Sequence, residues 1–396
     1  MNARAISLGV ALTFSVGVFM AARRYRPEDT PHRPSSDGEV LEKLAAGTGR
    51  DPLADETCTL EAALARSPND LSLALQVVRQ HVTAARRSGD ARRLSYAEAA
   101  LAPWWSQPKP PVPALIGRAM IRQSRHEFTP ALVDLDLALS TVPDDPQALV
   151  TRASVLTVLA RYDEAERDCG HVTESLLAKT CATAAAAARG GGEARDRLSA
   201  AMGAPTVEAT ELRWAEATRG EAYLYAGENA AAERDLRAAM ADGESYPRAL
   251  LADLLLDGDR PREVLDLIAS DETNEVLILR RAIAAKRLGA PDADALRETL
   301  TRFHADVVAR GDTSHLREEA RRLLALEGDA AQALPVAVAS FAQQKEPWDA
   351  RLLLEAAAGV DSVEARAAAA TAVAWLERSR CAWPPLLQLV ARRQKR

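Results

Sequence analysis

The sequence predicts an all-α chain of antiparallel helical hairpins stacked into an α-solenoid, preceded by one hydrophobic helix. Three observations carry that expectation. About a fifth of the 396 residues are alanine and only 4% are aromatic; alanine favours helix over strand, and small side chains suit closely packed helices. From residue 112 the chain repeats with a 34-residue period, the mark of a repeat array. Residues 5–22, AISLGVALTFSVGVFMAA, are uncharged and mostly apolar.

At 1.5 Å per residue that apolar run spans about 27 Å, enough for a hydrocarbon core. It lies between Arg4 and the cluster Arg23, Arg24 and Arg26. A cleavable signal wants a small residue at −3, but cleavage after Ala22 or Ala21 would place Met20 or Phe19 there. An uncleaved membrane anchor is therefore favoured over a removed signal for residues 1–24. Residues 25–38 hold three prolines without apolar periodicity and read as a linker. Residues 39–396 form the helical repeat domain. The arginines after the span would keep the domain cytoplasmic under the positive-inside rule, by a margin of one charge.

With Val112 as position 1, position 8 is Ala119, 17 is Phe128, 20 is Ala131, 27 is Ala138 and 32 is Pro143. One period later the same places hold Ala153, Tyr162 and Ala165. Small residues at 8, 20 and 27 let two helices approach, an aromatic at 17 fills the turn, and a proline ends the second helix. The clearest repeats are 112–145, 146–174, 175–208 and 213–246, the last carrying Gly220, Ala232 and Ala239 in phase.

This pattern resembles the tetratricopeptide repeat, whose stacked hairpins form a right-handed superhelix. Beyond the repeat, YAEAALAPWW (96–105), RQSRHEF (122–128), YDEAERDC (162–169) and EPWDARLLLEAA (346–357) are similar to membrane-anchored or exported bacterial repeat proteins of unassigned function. That resemblance implies the fold and an extracytoplasmic, periplasmic location. It also implies that the first helix of each hairpin lines a concave groove through positions 2, 5, 9, 12 and 13. Those positions select Ile116, Met120, Gln123, Val150, Ser154, Trp214, Leu224 and Tyr225 as partner-binding residues. The lining is weakly polar with apolar and aromatic anchors, which suits an apolar or amphipathic peptide. Trp214 and Tyr225 could instead fill the core between hairpins.

Cys169 falls at position 24 and Cys181 near position 7 of the next hairpin, the surfaces that pack together. They form either a disulfide or two buried thiols. A disulfide would require an oxidising compartment and would place the domain outside the cytoplasmic membrane. The remaining chemistry is sparse. The net charge of −6 argues against nucleic acid. No GxxxxGK[ST] phosphate loop, GxSxG elbow or metal-ligand spacing occurs among the six histidines and four cysteines. Gly190, Gly191 and Gly192 read as a turn, His126-Glu127 as a solvated turn, and Asp134/Asp136 as helix-surface charge. The expectation is a non-enzyme without cofactor, metal or small-molecule substrate: a scaffold tethered at the cell envelope, holding a protein or peptide. The alternative is a structural subunit without a groove.

Overall fold

The computed structural model describes residues 52–173, 175–204, 208–240, 244–312 and 314–394. The expected anchor and linker, and residues 39–51 of the expected repeat domain, lie outside them. Among the described residues every regular element is a helix, and none is long and apolar enough to cross a membrane.

The amino-terminal helices are α1 (Pro52–Arg66), α2 (Leu71–Ser88), α3 (Arg92–Ala100) and the single turn α4 (Ala102–Trp105). The four repeats read from the sequence follow as hairpins. They are α5 (Val112–Ser124) with α6 (Phe128–Thr141), α7 (Pro146–Val158) with α8 (Tyr162–His171), α9 (Leu176–Ala187) with α10 (Gly192–Met202), and α11 (Ala209–Ala226) with α12 (Asn229–Ala239). In the last of these the first helix begins before residue 213. Next come α13 (Ser245–Asp257), α14 (Pro261–Leu267), α15 (Glu275–Leu288) and α16 (Ala293–Arg310). The chain ends with α17 (Leu316–Arg322, continued by a π-turn over Leu323–Glu327), α18 (Ala330–Gln343), α19 (Pro347–Ala358), α20 (Val363–Ser379) and α21 (Pro384–Gln394).

The small in-phase residues sit where helices meet. Ala119, Ala131, Ala138 and Ala165 are fully buried, and Phe128 and Tyr162 nearly so. At Gly220 an added Cβ would lie 2.9 Å from Leu236 Cγ and 3.2 Å from its backbone nitrogen, so only glycine permits this approach of α11 to α12. The turns inside the hairpins share one device. The residue at position 15 adopts a left-handed conformation in His126, Ala160 and Gly227, with φ of 59°, 58° and 77°. The amide of the next residue, at position 16, then donates to a carbonyl five residues back: Glu127 to Arg122, Arg161 to Leu156, Glu228 to Tyr223. This satisfies carbonyls that the helix end would leave open. The glycine run at 190–192 is likewise a turn, with Gly190 at φ 79° between α9 and α10.

The array does not remain open. In an open solenoid each repeat would touch only its neighbours; here distant segments also meet. The Lys345 amide donates to Val158 O at 2.8 Å and the Ala382 amide to Ala188 O at 2.9 Å, so the segments before α19 and α21 lie against the ends of α7 and α9. Trp383 packs edge-on to Tyr225 of α11, ring centroids 5.7 Å apart, and Pro384 abuts Gly227. Arg351 reaches Asp257 of α13 through two hydrogen bonds of 2.6 and 2.9 Å. The end of α2 meets the middle of the chain, with Asn274 donating to Arg87 O and Ser245 to Arg86 O. Burial explains the closure: alanine-rich hairpins present little apolar surface each, and the tryptophans of the last helices supply the large side chains that fill the hollow.

Candidate interaction surface

The self-closure decides which first-helix residues remain available. Tyr225 and Leu224 are each 4% exposed and Ile116 is 7% exposed. These three are core residues: for Leu224 and Ile116 this is contrary to the groove assignment, and for Tyr225 it is the core alternative. Tyr225 packs against Trp383, which covers it. Leu224 packs with the α13 and α15 leucines, and Ile116 with Phe128 and Leu135. Met120, Gln123, Val150 and Ser154 are half-buried, and the Ser154 hydroxyl is turned back on Val150 O at 3.0 Å. Trp214 is 37% exposed. The structure thus brings together no continuous strip of all eight.

A ladder of buried ion pairs runs through the hairpins. Arg118 holds Asp134 at 2.7 and 2.9 Å, Arg152 holds Asp168 at 2.7 and 2.7 Å, and Arg219 holds Asp235 at 2.6 Å. All three join position 7 of the first helix to position 23 of the second. Asp134 is therefore no surface charge: it is 2% exposed and also takes Arg122 at 2.6 Å. Asp136 stays open and pairs with Arg152. The recurring Arg-x15-Asp spacing was the available signal for this ladder. His126 is also not a solvated turn. It is half-buried, stacks on Phe128, and its Nδ1 is buried without a partner. Burial and the nearby Arg317 push its pKa down.

Cys169 and Cys181 are joined in a disulfide, their Cα atoms 5.5 Å apart, an ordinary spacing for such a bridge. It ties α8 to α9 across a 12-residue separation. Replacing both by serine is expected to lower stability by about 3 kcal/mol through a freer unfolded chain. Urea denaturation of the two forms measures this, and an unchanged midpoint would contradict it.

A cluster of charged and phenolic side chains forms where α11, α13, α17 and α19 approach one another. Glu221 of α11 is half-buried within hydrogen-bonding reach of the Tyr225 and Tyr246 hydroxyls. Glu346, at the N-cap of α19, stands close by and hydrogen-bonds Arg317, which also binds Asp349 at 2.5 and 3.0 Å. Tyr162 of α8 borders the same group. Burial, reinforced by Glu346, pushes the Glu221 carboxyl up to about 7. Burial also drives the Tyr246 phenol well above its usual value, yet 52% of that residue's surface is open. A side chain surrounded by protein but half open lines the wall of a hollow.

The sign of the resulting pH effect is fixed. The unfolded carboxyl ionises near 4.5 and the folded one near 7, so the native state binds the extra proton in between and loses stability as pH rises through that window. A Glu221→Gln variant is expected to gain stability relative to the parent between pH 4.5 and 7 and to change no further above it. Thermal melts across that range check this; parallel curves would refute it.

A groove of about 410 Å³ lies between α20 and α21, lined by Ala369, Val373, Ala374 and Val390 together with Arg366 and Arg393. Among the described residues no group of three or more His, Cys, Asp or Glu side chains is placed to hold a metal.

No family model and no curated protein matches the chain. Among solved structures it is similar to a Rap protein complexed with competence and sporulation factor, at 13% identity and a TM-score of 0.47, over 85% of this chain and 94% of the other. It is also similar to the P58(IPK) TPR domain, at 19% identity and a TM-score of 0.24, over 83% and 100% of the two chains. The TPR-like character of the fold rests on this chain's own hairpins, their in-phase small residues and their shared turn.

Proposed function

We propose that the protein is a non-enzymatic interaction scaffold of the cell envelope that holds a protein or peptide partner in the part of its concave side left open by self-closure. One observation carries the reading: Trp214 and Tyr246, 37% and 52% exposed, stand on the first helices of consecutive hairpins, where a superhelix presents its inner surface. Exposed aromatics are costly to leave in water and are common anchors of binding surfaces. The Cys169–Cys181 disulfide supports an extracytoplasmic domain, and the apolar run 5–22 supports a tether of that domain to the inner membrane.

A photo-crosslinking amino acid placed at position 214 of the full chain in native membranes tests this. The expected result is one discrete adduct from position 214 and none from position 133, where Val133 of α6 is 62% exposed on a second helix. Adducts from position 133 alone would favour the other reading, a structural subunit that docks through its convex face. The partial filling of the hollow by α19 and α21 is the observation on that side.

A further inference from the structure

Interior acids in this protein come with a cation. Asp134, Asp168, Asp235, Asp253, Glu319 and Asp349 are all buried and each binds an arginine, and buried Glu275 binds His315. Such matching is expected, because an unpaired charge away from water is expensive. Glu221, half-buried beside them, has no such partner. Its carboxylate is met by two phenol hydroxyls and makes no ion pair with a described residue.

The surroundings sharpen the imbalance. The groups facing Glu221 are Tyr225 on its own helix, Tyr246 from α13, Tyr162 from α8, Glu346 at the N-cap of α19 and Arg317 from α17, with Asp349 and Glu318 beyond, against Arg317. Arg317 is the sole cation among them, and its guanidinium is committed to Glu346 and Asp349. Glu221, Glu346 and Asp349 therefore share one positive charge. The wall is aromatic: Tyr246 stands half open, and Trp214 precedes Glu221 by seven residues, about 10 Å along the same helix face. A carboxylate with open aromatic rings beside it suits a cation, which gains both the charge and the ring faces.

We propose that Glu221, walled by Tyr246 and Tyr225, receives a lysine or arginine side chain of the partner polypeptide. This rests on the scaffold reading and adds the chemistry of the partner: a basic residue at the depth of the hollow, with an apolar flank lying toward Trp214. The site is anionic, so it does not take a carboxylate terminus.

The test uses the full chain carrying 3-fluorotyrosine, with the Tyr246 fluorine signal assigned through Tyr246→Phe. The probes are acetyl-Ala-Ala-Xaa-Ala-Ala-amide peptides in which Xaa is lysine, arginine, norleucine or glutamate. The lysine and arginine peptides are expected to shift the Tyr246 signal saturably, and the norleucine and glutamate peptides to leave it in place. Glu221→Gln is expected to weaken the cationic peptides at least about tenfold, the worth of a charged hydrogen bond, while retaining the parent's circular dichroism. If norleucine shifts the signal as strongly as lysine, the site is apolar and the proposal fails while the scaffold reading stands. Silence from all four peptides, or indifference to Glu221→Gln, also overturns it; the scaffold reading itself stands or falls on the crosslink at position 214.

Discussion

Replacing Asp349 with alanine is expected to cost about 3–5 kcal/mol, the usual penalty for removing one partner of a buried ion pair. Asp349 is fully buried. Its carboxylate takes Arg317 Nε at 3.0 Å and Nη2 at 2.5 Å, the Ser340 hydroxyl at 2.7 Å and Gln344 Nε2 at 3.2 Å. Alanine would remove the acceptor of donors on three side chains at once, two of those side chains at most 5% exposed. The double replacement Asp349→Leu with Arg317→Met should recover much of the loss, because it removes the charges together. Urea denaturation at neutral pH reads both variants. A loss under about 1 kcal/mol for Asp349→Ala would mean that this carboxylate is solvated and the hollow is not closed by α19.

Trp383→Ala is expected to cost a similar 3–5 kcal/mol, as for other fully buried large aromatics. Trp383 is 1% exposed, its ring 4.6 Å from that of Trp348 and 5.7 Å from that of Tyr225, with the Arg351 guanidinium 5.4 Å from its centre. Truncation would empty the contact between α21 and the first helices. Proteolysis should then cut after Ser379 or Arg380 before the rest of the domain, since the Trp383 contacts that hold this segment on the array are lost. A Trp383 lying on an open surface would instead change stability by no more than about 0.5 kcal/mol.

Much of the local structure was legible in the sequence. Ala119, Ala131, Ala138 and Ala165 announced the helix contacts by their spacing, because close packing admits only small side chains at those places. Cys169 and Cys181 fell at positions that face each other in stacked hairpins. The Arg118–Asp134, Arg152–Asp168 and Arg219–Asp235 pairs were equally legible as a repeated spacing. A charge pair read one residue at a time looks like a solvated surface, and only the period shows it to be interior. The closure was not legible. Lys345 with Val158, Ala382 with Ala188 and Arg351 with Asp257 are contacts across long stretches of chain that no local pattern encodes. That is why the sequence leaves Tyr225 open between groove and core: its burial depends on Trp383, more than a hundred residues later. The setting of Glu221 is illegible for the same reason, since it is made by Tyr246, Glu346 and Arg317, each from a different hairpin.

Self-closure, with the last helices seated in the concave side, is the claim on which the candidate site depends. The amides of Lys345 and Ala382 report it directly, because both belong to non-helical connectors and owe their hydrogen bonds to Val158 O and Ala188 O alone. Native-state hydrogen exchange followed at these two amides is expected to show slowing by several orders of magnitude relative to the unstructured chain, approaching the rate set by unfolding of the domain. Exchange at both positions at unstructured-chain rates, with the helices of residues 112–171 still protected, would show an open solenoid and contradict the account.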